Sequence, residues 1–353
     1  MLQHIICSLA EGKAMPSIGI MGAGSVGLYL GGCLQVAGAP VTYVGRPSLI
    51  SVLQQHGLRL TDYLGRDQFL PAQALNLSSE VSALAACDVI LVTVKSAATR
   101  EVAHALASCI KPQAVVVSFQ NGVRNTDCLQ AALPNHTVLA GMVPFNILQC
   151  GDGRFHQGSF GQLEVAEHAD LTPVLPHFAA AGLPLMCCPD MPAVLWGKLL
   201  LNLNNAINAL SNIPLKAELS QRAYRRCLSL AQREALALYQ AAGIQPKQLT
   251  PLPPAWLARL LTVPDVLFRL LAQRMLAMDP LARSSMWEDL EAGRRTEVDW
   301  IQGEVIALAN RLGKAAPINA CLVQLIRDAE AAGPQRIRWS GPDLLATLQS
   351  ASA

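Results

Sequence analysis

The stretch Ser17-Ile18-Gly19-Ile20-Met21-Gly22-Ala23-Gly24-Ser25-Val26-Gly27 is an apolar run that breaks into three glycines spaced Gly-x-Gly-x-x-Gly. A dinucleotide-binding turn needs this spacing. The first glycine permits a tight turn, the second lets the backbone approach a pyrophosphate, and the third lets helix and sheet pack closely. The helix expected from about Val26 to Val36 would aim its N-terminal amides at that anion. With 25 glycines in 353 residues, the triplet alone also fits a purely structural turn. Its context favours the dinucleotide reading: a strand precedes it, Gly38 closes the helix, and Val41-Thr42-Tyr43-Val44 completes a βαβ unit.

Composition narrows the class. Hydrophobic residues make up 52% of the chain and charged residues 15%, enough for sizeable cores in about two domains. A net charge of +2 leaves no basic stripe, so a nucleic-acid partner is not expected. The most apolar stretches are interrupted by Asp88, Lys95, Lys198 and Asn202, so no membrane span is expected either. Residues 1–14 read as an extension ahead of Met15. Their apolar patch, Ile5 to Leu9, lacks a preceding basic residue and is followed by Glu11 and Lys13, which is wrong for a secretory signal and makes a cytoplasmic location the expectation. None of the ten cysteines has Cys-x-x-Cys spacing, which agrees with a reducing compartment, and no His/Cys cluster suggests a metal.

After the second strand, Arg46 stands where an NAD-specific site would usually carry an acid on the ribose. Its planar fork suits a 2′-phosphate, selecting NADP; the alternative is a solvated loop arginine. Gln54 to Asn76 reads as small strands or loop. The unbroken β-branched run Asp88 to Lys95 predicts a strand buried on both faces, with Lys95 at its carboxyl end. The strand Ala114 to Phe119 likewise ends in Gln120-Asn121-Gly122, either a plain turn or a second polar group at the same crevice. Thr137 to Val143 should continue the sheet, Gly151 to Glu167 should append antiparallel hairpin strands to it, Leu171 to Ala181 should be helical and Leu183 to Cys188 a last strand.

From Asp190 the strand signal disappears. Helices are expected over Met191–Leu210, Glu218–Ala242, Pro254–Met278 with a break at Pro264, Ser284–Ala292, Thr296–Leu312 and Ile318–Ala332, with a sparsely anchored tail after Gly333. The expected organisation is therefore α/β: a doubly wound sheet domain over 15–189, an all-helical domain over 190–340 and a tail over 341–353. On one helix, Lys198, Asn202 and Asn205 would share a face, as a polar site or as a solvated stripe. Thr296-x-x-Asp299 reads as a capping box that starts a helix at Thr296 and puts Glu297 in its first turn.

Taken together, the glycine motif, Val92-Thr93-Val94-Lys95, Gln120-Asn121-Gly122, Trp196-Gly197-Lys198 with Asn202, Ser284-Ser285-Met286 and Thr296-Glu297-Val298-Asp299 resemble the ketopantoate reductase family, the 2-dehydropantoate 2-reductases. The resemblance runs from about Ser17 to Ile326. It implies a Rossmann domain followed by a helical domain, with a cleft between them where NADPH reduces the keto group of ketopantoate to pantoate. It places the general acid on Lys198 with Glu297, and cofactor contacts on Gly22, Ala23, Gly24, Ser25, Val26, Gly27, Arg46, Lys95, Asn121 and Glu297. Substrate contacts fall on Asn121, Lys198, Asn202 and Ser285, with Asn205 one position short of a further family asparagine that is Ala206 here. A protonated lysine can stabilise and then protonate the alkoxide left by hydride transfer, so no metal is required, and a neighbouring Glu297 would hold that lysine charged.

Ala206, and Lys216 before Ala217-Glu218-Leu219, depart from the family pattern and leave open a paralogous reductase of another 2-keto acid. Two further alternatives are an enzyme of phosphorylated substrates, which would need more cations, and a non-catalytic NADPH-binding sensor. Trp256, Trp287 and Trp300 are read as core or as the face of a homodimer.

Overall fold

The apolar four-residue segments that bracket the glycine motif pair as parallel strands. In the computed structural model, which describes residues 15–159, 161–271 and 282–352, β1 (Ile18–Met21) leads into α1 (Ser25–Val36) and β2 (Val41–Val44). The expected 1–14 extension and the end of the Pro254–Met278 helix lie outside the described residues. The chain continues through α2 (Pro47–His56), β3 (Leu58–Asp62), β4 (Asp67–Leu70), β5 (Asn76–Ser78), β6 (Val89–Val92), α3 (Thr99–Ala107), β7 (Val115–Ser118), α4 (Asn125–Ala132) and β8 (Thr137–Met142). It then forms β9 (Ile147–Gln149), β10 (Arg154–Gln157), β11 (Leu163–Ala166), α5 (Leu175–Ala180) and β12 (Leu185–Cys188).

Eight strands form one sheet in the order β12-β11-β8-β7-β6-β1-β2-β5, parallel except where β11 meets β8. The strand order reverses between β1 and β6, and the carboxyl ends there are where a doubly wound sheet binds ligands. The Val-, Ile- and Leu-rich β6 and β7 are buried along their whole length, as both-face coverage requires.

The Gly151–Glu167 expectation needs correction. The β9/β10 hairpin joins a separate sheet, β4-β3-β10-β9, because β10 pairs in parallel with β3, and only β11 enters the main sheet. The expected Leu171–Ala181 helix is likewise shorter, confined to α5 after a single 3₁₀ turn at Ala169–Leu171.

Beyond Cys188 the described elements are helical: α6 (Met191–Asn202), α7 (Asn204–Ser211), α8 (Leu215–Leu219), α9 (Arg222–Ala241), α10 (Pro254–Leu260), α11 (Asp265–Leu271), α12 (Ser285–Glu291), α13 (Val298–Arg311), α14 (Pro317–Ala332) and α15 (Gly341–Ala351). Met191–Leu210 is thus two helices, not one. At the break the buried amides of Gln232 and Gln302 take up the carbonyls of Leu200 and Leu203 from other helices, at 3.0 and 2.8 Å.

Glu218–Ala242 is also divided, with Glu218 in the short α8. Pro264 separates α10 from α11, and the fully buried Arg225 holds that corner. Its guanidinium donates to the carbonyls of Leu219, Leu261 and Val263, pairs with Asp265 at 2.9 Å and lies 4.1 Å from the centre of the Phe268 ring.

The tail is not sparsely anchored. Ser340 Oγ accepts from Asp343 N and starts α15, whose Leu344, Leu345 and Leu348 enter the core of the helical half. No helix among the described residues is long and apolar enough to cross a membrane.

Candidate active site

The turn after β1 has the steric signature of a phosphate cradle. Gly22 has φ +102°, and a Cβ on it would sit 2.6 Å from Val94 N. A Cβ on Gly27 would lie 2.4 Å from both Gly22 O and Thr93 Oγ1, and Thr93 Oγ1 donates to that same carbonyl at 2.7 Å. At Gly24, by contrast, a Cβ would meet nothing within 4 Å. Two glycines are thus forced by packing, and the one between them faces open space at the N-terminus of α1, where a pyrophosphate fits.

Ala23, Ser25 and Val26 complete the turn. Arg46 stands exposed at the end of β2, with no ion pair among the described residues.

Across the sheet edge, polar side chains converge from both halves of the chain. Asn202 Nδ2, at the end of α6, donates to Asn121 Oδ1 at 3.2 Å, and Asn121 Nδ2 donates to Glu297 Oε2 at 3.1 Å. The other carboxylate oxygen, Glu297 Oε1, accepts from Ser96 N at 3.0 Å and Ser96 Oγ at 3.1 Å. Behind this chain, Asn125 bonds Ser96 Oγ and Asn121 O, Thr99 bonds Asn125, and Gln120 bonds Thr99 and Val94 O. Lys95 pairs with the buried Asp289 of α12, which also holds Arg294 at 3.2 Å.

Lys198 lies one turn before Asn202 on α6. Its Nζ reaches Pro144 O at 3.5 Å, and no carboxylate lies within ion-pair distance among the described residues. Burial pushes its pKa down to about 8. The expected stabilisation of Lys198 by Glu297 is therefore corrected: Glu297 is turned toward Ser96 and Asn121, and desolvation alone sets the lysine.

The capping expectation is corrected too. The helix begins at Val298, whose N–H donates to Thr296 Oγ1 at 3.3 Å, while Thr296 N donates to Glu330 and Asp299 pairs with Arg327. Glu297 therefore stands just ahead of the helix, free to face the sheet domain.

Of the remaining expected residues, Ser285 is exposed at the first turn of α12, while Ser284 is its N-cap, accepting from Trp287 N at 3.2 Å. Asn205 falls past the break, in α7, and its carbonyl accepts from Ser284 Oγ. Ala206 is fully buried and Lys216 exposed, and neither shares a hydrogen bond with the chain from Asn202 to Ser96. Trp256 is largely exposed, whereas Trp287 and Trp300 are partly buried.

Sequence reading missed Ser96, Asn125 and Asp289. The first follows Lys95 directly and the last stands three residues after Met286, so both lie just beyond stretches already singled out.

Residues 18–170 match the family model described as ketopantoate reductase PanE/ApbA, and residues 190–330 match its C-terminal counterpart. A 2-dehydropantoate 2-reductase of Halobacterium salinarum is 26% identical over 322 residues, 89% of this chain and 99% of that protein. The solved PanE/ApbA family ketopantoate reductase of Ralstonia eutropha JMP134 is 29% identical with a TM-score of 0.76, covering 90% of this chain and 99% of that one. A dimeric ketopantoate reductase of Staphylococcus aureus, at 18% identity and a TM-score of 0.67 over 90% of this chain and 99% of its own, shares the fold.

Proposed function

The chain belongs to the ketopantoate reductase PanE/ApbA family, and from that premise we propose that it reduces the keto group of a 2-keto acid with NADPH, 2-dehydropantoate being the first substrate expected. The observation that carries this reading is Lys198: a half-buried ammonium without an acidic partner among the described residues, one helical turn from Asn202, which reaches across to Asn121. Such an ammonium is available to a substrate anion rather than committed to a neighbour.

Bound NADPH would supply a hydride to the ketone carbon. The chain's own residues do the rest. The Gly22–Gly27 turn and the N-terminus of α1 hold the pyrophosphate, and Arg46 takes the 2′-phosphate. Lys198 Nζ stabilises the oxygen that gains charge and gives it a proton. Glu297 fixes the Asn121 amide by accepting from Nδ2, which leaves Oδ1 facing Asn202. Asn121, Asn202 and Ser285 orient the substrate's polar groups, with Asn205 behind them, and Lys95 and Glu297 border the nicotinamide side. A homodimer is the expected assembly and the cytoplasm the expected location.

A second reading, a paralogous reductase of another 2-keto acid, draws on the buried Ala206, which offers no polar group where the family places a substrate contact. NADPH oxidation followed at 340 nm with 2-dehydropantoate and a panel of other 2-keto acids tests both. Turnover highest on 2-dehydropantoate supports the first reading, and turnover highest on another member of the panel supports the second. Tight NADPH binding with no turnover on any of them would leave the non-catalytic sensor.

A further inference from the structure

The helical half carries a buried polar cluster that the reaction above does not use. Glu218 of α8, Asn204 and Asn208 of α7 and Ser284 ahead of α12 are each nearly or fully buried. Asn208 Nδ2 donates to Glu218 Oε2 at 2.6 Å and to Ile213 O at 3.0 Å, while Asn208 Oδ1 accepts from Ser284 N at 2.9 Å. Leu215 N, on the same short helix as Glu218, donates to Ala282 O at 2.9 Å. The segment entering α12 is thus held from α7 and α8. That helix bears Ser285 at its first turn and Asp289, the partner of Lys95, near its end.

We propose that Glu218 is a positioning residue: through Asn208 it fixes Ser284 and the start of α12, and so sets Ser285 for the substrate and Asp289 for Lys95. The inference rests on the reductase reading for its substrate. Two buried acceptors in the cluster, Glu218 Oε1 and Asn204 Oδ1, have no donor among the described residues. A proton on Glu218 gives that side of the cluster a donor and removes an uncompensated buried charge.

Burial pushes the Glu218 carboxyl up to about 8, against the pull of the Asn208 and Asn204 amides. Of the elements packed on it, α7 presents those two amides and α9 presents Tyr224 and Cys227. Both of these titrate above their usual range, so they stay neutral near pH 8. No charged side chain among the described residues offsets Glu218.

The test pairs Glu218→Gln with Glu218→Ala. Glutamine keeps a neutral side chain that can both accept from Asn208 and donate. In the wild type the KM for 2-dehydropantoate should rise several-fold above about pH 8. Glu218→Gln should reduce that rise to the part that deprotonation of Lys198 causes, while keeping the kcat profile set by Lys198. Glu218→Ala should raise KM about tenfold at every pH and speed amide exchange at Trp287, whose N–H rests on Ser284.

Identical KM profiles for wild type and Glu218→Gln, or unchanged Trp287 exchange in Glu218→Ala, would overturn the proposal. Should the alanine variant not fold, the glutamine comparison decides. Should the wild type turn over no 2-keto acid, the reductase reading falls, but Trp287 exchange still decides: loss of protection above pH 8 in the wild type but not in Glu218→Gln upholds the positioning role, and equal protection in both overturns it.

Discussion

The two sides of the cleft are built on opposite principles. On the sheet side the site is made of missing side chains: Gly22 and Gly27 leave no room for a Cβ, and Gly24 opens the backbone to solvent. On the helical side it is made of side chains placed in apolar helices at a desolvation cost, Lys198 and Glu218 foremost. Shape governs the first and protonation the second. Substitutions on the sheet side should therefore move cofactor affinity with little pH dependence, whereas those on the helical side should move rate and its pH profile.

The largest effect expected is from Lys198→Ala. Loss of the proposed proton donor should lower kcat by about 10² to 10⁴, with NADPH affinity, measured by fluorescence titration, unchanged. A comparable loss of NADPH affinity would break the division between the two sides. The wild-type profile sharpens it. As the proposed proton donor Lys198 would act only while protonated, so kcat should be flat below its pKa of about 8 and fall as pH rises through that value.

Stability should run the other way there. A half-buried lysine with a lowered pKa binds fewer protons folded than unfolded, so unfolding free energy from this group rises between about pH 8 and 10.5. Glu218, raised to about 8 from 4.5, holds its proton when folded and destabilises progressively as pH climbs between those values. Urea titrations across this range should show the fall and then the rise, and Glu218→Gln should remove only the fall.

Next in size is Gly27→Ala on the sheet side. The added methyl meets a carbonyl oxygen and a hydroxyl at 2.4 Å, so the turn or α1 must shift. Overpacking of this kind costs about 1–3 kcal/mol. The expected outcome is a lower Tm and NADPH binding weakened roughly tenfold or more, with kcat at saturating cofactor nearly unchanged and no new pH dependence. Tighter or equal NADPH binding would mean that the turn is not the cradle.

The same contrast explains what could be read from sequence. The β1-α1-β2 unit was legible because its contacts are local: the spacing of glycines, the helix stop at Gly38 and the following strand lie within thirty residues of one another. The polar chain was not, since Asn202 meets Asn121 over 81 positions and Glu297 meets Ser96 over 201, so no periodicity reveals which group each side chain faces. Glu297 looked like a first-turn acid and a partner for Lys198. Long-range partners decided otherwise, Glu330 taking Thr296 N and Arg327 taking Asp299, so the helix starts later and leaves Glu297 facing Ser96.

The break after Asn202 is likewise set by Gln232 and Gln302, amides that sequence spacing cannot connect to Leu200 and Leu203. The final helix was different: Ser340-x-x-Asp343 before Leu344, Leu345 and Leu348 is a cap followed by an apolar face, a local signal that was present and was passed over.

The smallest effect expected is from Arg46→Ser, and it probes the sheet side where shape gives way to charge. Arg46 is exposed at the end of β2, and its backbone rather than its side chain starts α2: Leu49 N and Ile50 N donate to its carbonyl at 3.0 and 3.1 Å. Removing the guanidinium should therefore leave fold and Tm unchanged. A single charge-assisted contact to a 2′-phosphate in an exposed position is worth about 1 kcal/mol, reduced further by salt. The ratio of kcat/KM for NADPH over NADH should drop about fivefold at low ionic strength and by less at high, with the NADH value unmoved. An unchanged ratio would remove Arg46 from the cofactor site and leave the glycine turn as the sheet side's whole contribution. A drop as large as the Lys198→Ala loss would make charge, not shape, the governing term on both sides of the cleft.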